Sequence, residues 1–250
     1  MPEFPIKLST LPVLLVLELV AIWFVTRRTA KAGHIGSGGA ALINALLLVL
    51  LIWAGASAYL ATSGFYQGDW FRSSWPAFWV TCISVTIVMT PLILSRGARD
   101  TVRNIIDATP LSWLVGFQAL RVLAIGGVLK AANGEFSRYF GFYIGIPDLL
   151  FGLSALVMTW LVARGSISNT AVAIWNLIGA LIILPTGIIL LQMGLPGALQ
   201  YFDETPGIAT IFEFPMALAP TVVVPIFVMM NLFIAVRLIE RSLAGDTVAA

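Results

Sequence analysis

Seven long apolar stretches divide this chain, and no other feature of it constrains the fold so tightly. They run approximately from Leu8 to Thr26, Ala40 to Ala61, Pro76 to Leu94, Leu111 to Leu129, Ile144 to Ala163, Thr170 to Met193 and Phe214 to Val236. Each is long enough to cross a hydrocarbon layer of about 30 Å at roughly 1.5 Å per helical residue. Inside such a layer the backbone N–H and C=O groups find no water, so a spanning segment must be a helix or part of a closed barrel. The stretches are unbroken rather than alternating, which excludes the barrel. The expectation is an all-α membrane protein of seven transmembrane helices, with residues 1–250 forming a single transmembrane domain. Composition agrees, because 59% hydrophobic against 10% charged residues leaves far more apolar side chains than one water-soluble core could bury.

The positive charges orient the chain. Arg27, Arg28, Lys31, Arg96, Arg99, Arg103, Arg164, Arg237 and Arg241 follow alternate stretches, whereas the opposite side holds Lys7, Arg72, Lys130 and Arg138. By the positive-inside rule the N-terminus is expected exoplasmic and the C-terminus cytoplasmic. The first stretch reads as a retained helix and not as a cleaved signal, since Glu18 sits in its middle and TRRTAKAG follows it instead of a small-residue cleavage site. The exoplasmic loops are the longer and more aromatic ones, and Trp70, Trp75, Tyr139, Tyr143 and Tyr201 are expected as headgroup-level anchors, with a ligand lid as the alternative. In the cytoplasmic segment SRGARDTVRNIIDATP, charges three or four apart predict a short surface helix, and its basic strip suits anionic lipid.

Several function classes are excluded. The net charge of +2 arises from topogenic residues and leaves no soluble basic face for nucleic acid. Cys82, the one cysteine, can form no intrachain disulfide, and with His34 the one histidine there is no basis for a zinc, di-iron, haem or iron–sulfur site. No phosphate-binding GxxxxGK[ST] run is present. His34 stands three residues before Ser37, as in a hydrolase pair, but HIGSGG is a glycine-rich turn and reads as a flexible loop. A retinal protein needs a lysine within the last span, and the lysines are Lys7, Lys31 and Lys130. Neither enzymatic activity nor a cofactor or metal is expected.

Polar residues inside the spans are the informative ones, because an ionised side chain at the bilayer centre costs from a few to more than ten kcal/mol, roughly, unless paired or wetted. Glu18 lies about ten residues into the first span, hence about 15 Å deep. Arg121 lies near the middle of the fourth, with Gln118 one helical turn before it on the same face. Asp148 begins the fifth span, Asn176 lies in the sixth, and Glu213 and Asn231 belong to the seventh. An arginine at that depth requires a partner, Asp148 first and Glu18 second. The pair reads either as part of a ligand or ion site comprising Gln118, Arg121, Asp148, Asn176, Glu18 and Glu213, or as a packing device that fixes register. Glu213 has the further reading of a carboxylate at the positive end of the last helix. Pro91, Pro185, Pro220 and Pro225 fall within spans and each removes a helical hydrogen bond, so the last span is expected to be the least regular.

The chain from Pro110 onward resembles a family of uncharacterised bacterial integral membrane proteins. Shared with it are Q-x-x-R at Gln118 and Arg121, D-[IL]-L-x-G-L at Asp148, Leu150 and Gly152, W-N-x-x-G at Trp175, Asn176 and Gly179, and F-P with spaced prolines at Phe214, Pro215, Pro220 and Pro225. The resemblance covers roughly the C-terminal half and departs in lacking a histidine after the last prolines. It implies a multi-pass protein of the bacterial cytoplasmic membrane and names no activity. Two readings follow: a small-molecule or ion transporter or ligand sensor with a polar site between spans four, five and six, or a structural or accessory subunit of a larger membrane complex. Membrane lipid, an unidentified small molecule or ion, and a complex or homo-oligomer are the expected partners, and nucleic acid is not.

Overall fold

The computed structural model describes residues 9–73 and 79–244, and all regular structure among them is helical. Eight principal helices follow in order: α1 (Leu11–Lys31), α2 (Ser37–Thr62), α3 (Trp79–Leu94), α4 (Arg96–Ala108), α5 (Leu111–Ala132), α6 (Arg138–Ala163), α7 (Asn169–Gly194) and α8 (Ala219–Leu243). Of these, α2, α5, α6, α7 and α8 are each long and apolar enough to cross a membrane, which makes five. A sixth span results if α3 and α4 count together across their 109° bend.

This count differs from the expected seven in two places. Although α1 has 21 residues, every run of 18 within it contains Glu18, Arg27 and Arg28, so it is less apolar than an unaided span. In the third stretch, α3 is a 16-residue helix; Pro76, Ala77 and Phe78 at its expected start lie outside the described residues, as do Lys7, Leu8 and the anchor Trp75. The bend follows from local chemistry. Ser95 is extended and its hydroxyl accepts from the Ala98 N–H as the N-cap of α4, while Arg99 donates to the Leu92 carbonyl at 2.7 Å and satisfies the end of α3.

The expected surface helix is α4, but its basic strip does not simply face lipid. Arg103 meets Glu240 of α8 at 2.6 Å, and Asp107 receives Arg237 at 2.5 Å and Arg241 at 3.6 Å. Glu240 thus takes up Arg103 of the basic strip, and Asp107 of the same strip takes up Arg237 and Arg241. Nor is HIGSGG wholly a loop, since α2 already starts at Ser37.

Irregular turns interrupt four of the long helices. A 3-10 segment, Gln118–Ala124, occupies the middle of α5. Turns of π-helix occupy Gly141–Gly145 in α6 and Ala219–Val223 at the start of α8, and α7 breaks between Leu181 and Leu184 just before Pro185. Pro220 and Pro225 lack the N–H that would continue the preceding ladder, and α8 accordingly starts at Ala219 rather than at Phe214. Its remaining 20 residues are regular and largely buried, so the last span is irregular only at its entry.

On the side where α2 ends and α3 begins, a cap covers the bundle. Tyr66, Phe71 and Phe212 are all fully buried, with ring centroids of Phe71 4.8 Å from both Tyr66 and Phe212. The Tyr66 and Ser57 hydroxyls are hydrogen-bonded at 3.2 Å, and Ser57 donates to Thr221 Oγ1 at 3.0 Å, joining the cap to α2 and α8. Burial pushes the Tyr66 phenol above its ordinary value of 10.0. Trp70, Tyr143 and Tyr201 stay exposed, in keeping with anchors, whereas these neighbouring aromatics form a small core. Glu204 closes the same side: Ser137 hydrogen-bonds to it, and the Arg138 N–H at the start of α6 donates to its Oε2 at 3.1 Å.

Candidate functional site

The 3-10 geometry of α5 decides how its polar residues are presented. In such a turn residues i and i+3 eclipse, so Gln118 and Arg121 stand directly above one another, and both are fully buried. Asp148 lies in the first α-helical turn after the π turn of α6. Arg121 Nε is 2.7 Å from Asp148 Oδ1. The N–H is not aimed at that oxygen, so this is a charge contact rather than an aligned hydrogen bond. The two terminal nitrogens of the guanidinium both donate to the Gly179 carbonyl of α7 at 3.2 Å.

Aromatic faces complete the enclosure. The guanidinium carbon lies 4.8 Å from the ring centre of Phe151 and 5.4 Å from that of Phe227, distances at which the ring quadrupole attracts a cation. Phe151 in turn stacks on Trp175 at 4.3 Å, and Trp175 is fixed by donation from its Nε1 to Ser154 Oγ at 3.1 Å. Two glycines let the backbones come this close. A Cβ on Gly152 would sit 2.7 Å from the Val122 nitrogen and 2.9 Å from the Arg121 carbonyl carbon, and one on Gly179 would sit 2.2 Å from Phe151 Cζ and 2.8 Å from Asn231 Nδ2.

Around this clamp lies a shell of polar groups without a protein partner. Both carboxylate oxygens of Glu18, both amide atoms of Gln118 and both amide atoms of Asn231 are buried and unbonded. Asn176 donates to the Val172 carbonyl of its own helix at 2.9 Å, and its Oδ1 has no partner. Glu18 interacts electrostatically with both Arg121 and Asp148. Asp148 is the carboxylate in contact with Arg121, so one negative charge stays uncompensated in this region when Glu18 is ionised as well. A cavity of about 170 Å³ runs from the α1 N-terminus and the cap down to Asp148, its one charged wall among the described residues. Thr10, Phe140, Ile144, Met216 and Phe227 are among its walls.

Five of the six residues named from sequence, Gln118, Arg121, Asp148, Asn176 and Glu18, thus belong to one region on α1, α5, α6 and α7. Glu213 belongs elsewhere: it ends the helical turn Ile208–Phe212 beside the cap, its N–H donating to the Thr210 carbonyl at 3.1 Å. Sequence reasoning left Asn231, Gly179, Phe151 and Phe227 out of the site. A signal for Gly179 existed, because the W-N-x-x-G and D-[IL]-L-x-G-L patterns contain the two glycines, Gly179 and Gly152, at which the helices touch.

Long apolar helices around a buried polar centre define a multi-pass α-helical membrane protein. Residues 77–239 match the family described as a domain of unknown function, DUF8737, and the chain belongs to that family. No curated protein and no solved structure matches it. The matched segment contains Gln118, Arg121, Asp148, Asn176 and Asn231, and leaves Glu18 and the rest of α1 outside.

Proposed function

We propose that this protein is a seven-span protein of the bacterial cytoplasmic membrane, N-terminus exoplasmic and C-terminus cytoplasmic, that binds a small cation at its polar centre as a transporter or a ligand sensor. In this reading α1 is a span whose charge is hidden inside the bundle, and α3 crosses alone while α4 lies along the surface. The observation that carries it is the set of six unpartnered polar atoms on Glu18, Gln118 and Asn231 around a single guanidinium. Each would cost on the order of 1–3 kcal/mol left unmatched in a buried site. A proton on a carboxyl group, or a monovalent cation held by carboxylate and amide oxygens, balances the charge and supplies bonding partners. Arg121 and Asp148 form the fixed wall of the site in this scheme, and Glu18, whose two oxygens have no protein partner, is the residue that exchanges the ion.

The test is flux into liposomes carrying the purified protein, driven separately by a pH, a sodium and a potassium gradient. The proposal expects one gradient to dissipate faster than in empty liposomes, and Glu18→Gln to abolish the difference. A sensor binds the ion without flux, which direct binding to the same preparation detects. Neither flux nor binding would favour the second reading, a structural or accessory subunit. That reading is supported by the clamp itself, since Arg121 joins α5, α6, α7 and α8 through Asp148, Gly179, Phe151 and Phe227.

A further inference from the structure

Beyond the polar centre, a second and larger cavity of about 520 Å³ lies toward the end of the bundle that carries Arg27 and Arg28. Its floor is made of buried residues, among them Leu50, Phe117, Ile226 and Met229, drawn from α2, α5 and α8. At its mouth stand Phe24 of α1 and Trp113 of α5, both about half exposed. The lining is hydrocarbon almost throughout. Its Thr26 and Thr159 hydroxyls donate their protons to the Ile22 and Ala155 carbonyls of their own helices, at 2.8 and 2.7 Å, and Ser112 is the one further hydroxyl among its described walls. A cavity with so few polar groups is a poor site for ordered water, and its volume falls within the range of ligand pockets.

The mouth has a different chemistry. Arg28 places its guanidinium carbon 4.6 Å from the centre of the Trp113 ring, and Trp113 lies 6.1 Å from Phe24. Three arginines at this end, Arg103, Arg237 and Arg241, are matched by Glu240 and Asp107, whereas Arg27 lies over Trp23 and Arg28 over Trp113 at the cavity mouth. Arg28 has no carboxylate partner among the described residues, and it is exposed. An apolar slot with one unmatched cation and two aromatic rings at its rim is complementary to an amphiphile, with its chain inside and an anionic head outside.

We infer that this cavity is a binding site for one acyl chain of an anionic phospholipid from the surrounding bilayer, whose phosphate is held by Arg28 at the Trp113 rim. The site is separate from the polar centre and does not depend on the function proposed for it. An arginine beside an anionic lipid surface contributes enough to favour the anionic lipid roughly fivefold over a zwitterionic one.

The experiment uses the full-length protein in vesicles containing a trace of phosphatidylglycerol or phosphatidylcholine with a photoreactive diazirine in the acyl chain, the labelled peptides being mapped by mass spectrometry. Phosphatidylglycerol should label the cavity residues Leu46, Leu47 and Met230, at roughly five times the yield of phosphatidylcholine. Arg28→Gln should bring the two lipids to parity while the cavity is still labelled, and Leu47→Trp should move labelling out of the cavity. Labelling of wild-type protein confined to outward-facing Leu48, Ile52 or Leu153, or equal yields from the two lipids, would overturn the inference without reliance on any variant. So would a diazirine fatty acid that labels the cavity and displaces phosphatidylglycerol from it.

Discussion

Replacing Gly152 with alanine tests whether the clamp depends on the contact between α5 and α6. The added Cβ would lie 2.7 Å from the Val122 nitrogen, about 0.7 Å short of the 3.4 Å at which ordinary contact begins, and 2.9 Å from the Arg121 carbonyl carbon. Both atoms are backbone, so no side chain can swing aside and the helices must separate. Overpacking of this kind costs about 1–3 kcal/mol, and backbone contacts place this case at the upper end. Alanine in a helix returns roughly 1 kcal/mol relative to glycine. The net loss is about 2 kcal/mol, which lowers Tm by roughly 4–8 °C in a chain of this size. Gly55 in α2 is the matched control, because a Cβ there meets nothing within 4 Å and Gly55→Ala should be neutral or slightly stabilising. Thermal unfolding of both variants in one detergent, followed by the loss of the monodisperse peak in size-exclusion chromatography, measures the difference. If Gly152→Ala were as stable as Gly55→Ala, the close approach of α5 to α6 at Arg121 would be wrong.

Other expectations concern the charges, the cap and the topology. Arg121→Gln leaves the Asp148 carboxylate without its partner and should destabilise by about 3–5 kcal/mol, whereas Arg121→Gln with Asp148→Asn should recover most of that loss; a double variant no better than the single one would refute the pairing. Burial raises the Tyr66 phenol in the folded state, so its contribution to stability is complete below about pH 10 and is lost as the pH rises through the folded value. Denaturation followed at increasing alkalinity should show this step in the wild type and not in Tyr66→Phe. With Cys82→Ser as the background, a cysteine at Ser63 or Thr205 should react with an impermeant maleimide in intact cells and one at Ser166 should not, and the reverse pattern would overturn the orientation.

Much of the bundle was legible because hydrophobic length and charge act locally. α2, α5, α6, α7 and α8 coincide closely with apolar stretches, and α4 with a run of charges three or four apart. The depth of Arg121 alone required a partner, and Asp148 is the carboxylate it meets at 2.7 Å. What remained hidden depends on contacts between distant segments. Nothing in QALR announces a 3-10 turn that eclipses Gln118 with Arg121, since propensities distinguish helix from loop far better than one helix type from another. Asn231 was recognisable as a polar residue within a span, yet only the fold puts it beside Gly179. The cap was hidden for a related reason: Tyr66 and Phe71 lie in the same aromatic loop as the anchor Trp70, and Phe212, far along the chain, packs on both of them. Arg103 looked like a lipid-facing cation because its partner Glu240 lies far along the chain on α8.

Infrared difference spectroscopy of the protein in lipid films tests the polar centre most directly, because it reports the protonation or ion binding of a carboxyl group whether or not the ion crosses the membrane. Exchange of the buffer between two pH values, and then between sodium and potassium, should give a carboxyl difference band in the wild-type protein that disappears in Glu18→Gln and persists in Glu213→Gln. A wild-type spectrum with no carboxyl band under either exchange, or a band that Glu18→Gln leaves unchanged, would contradict a cation site at Glu18.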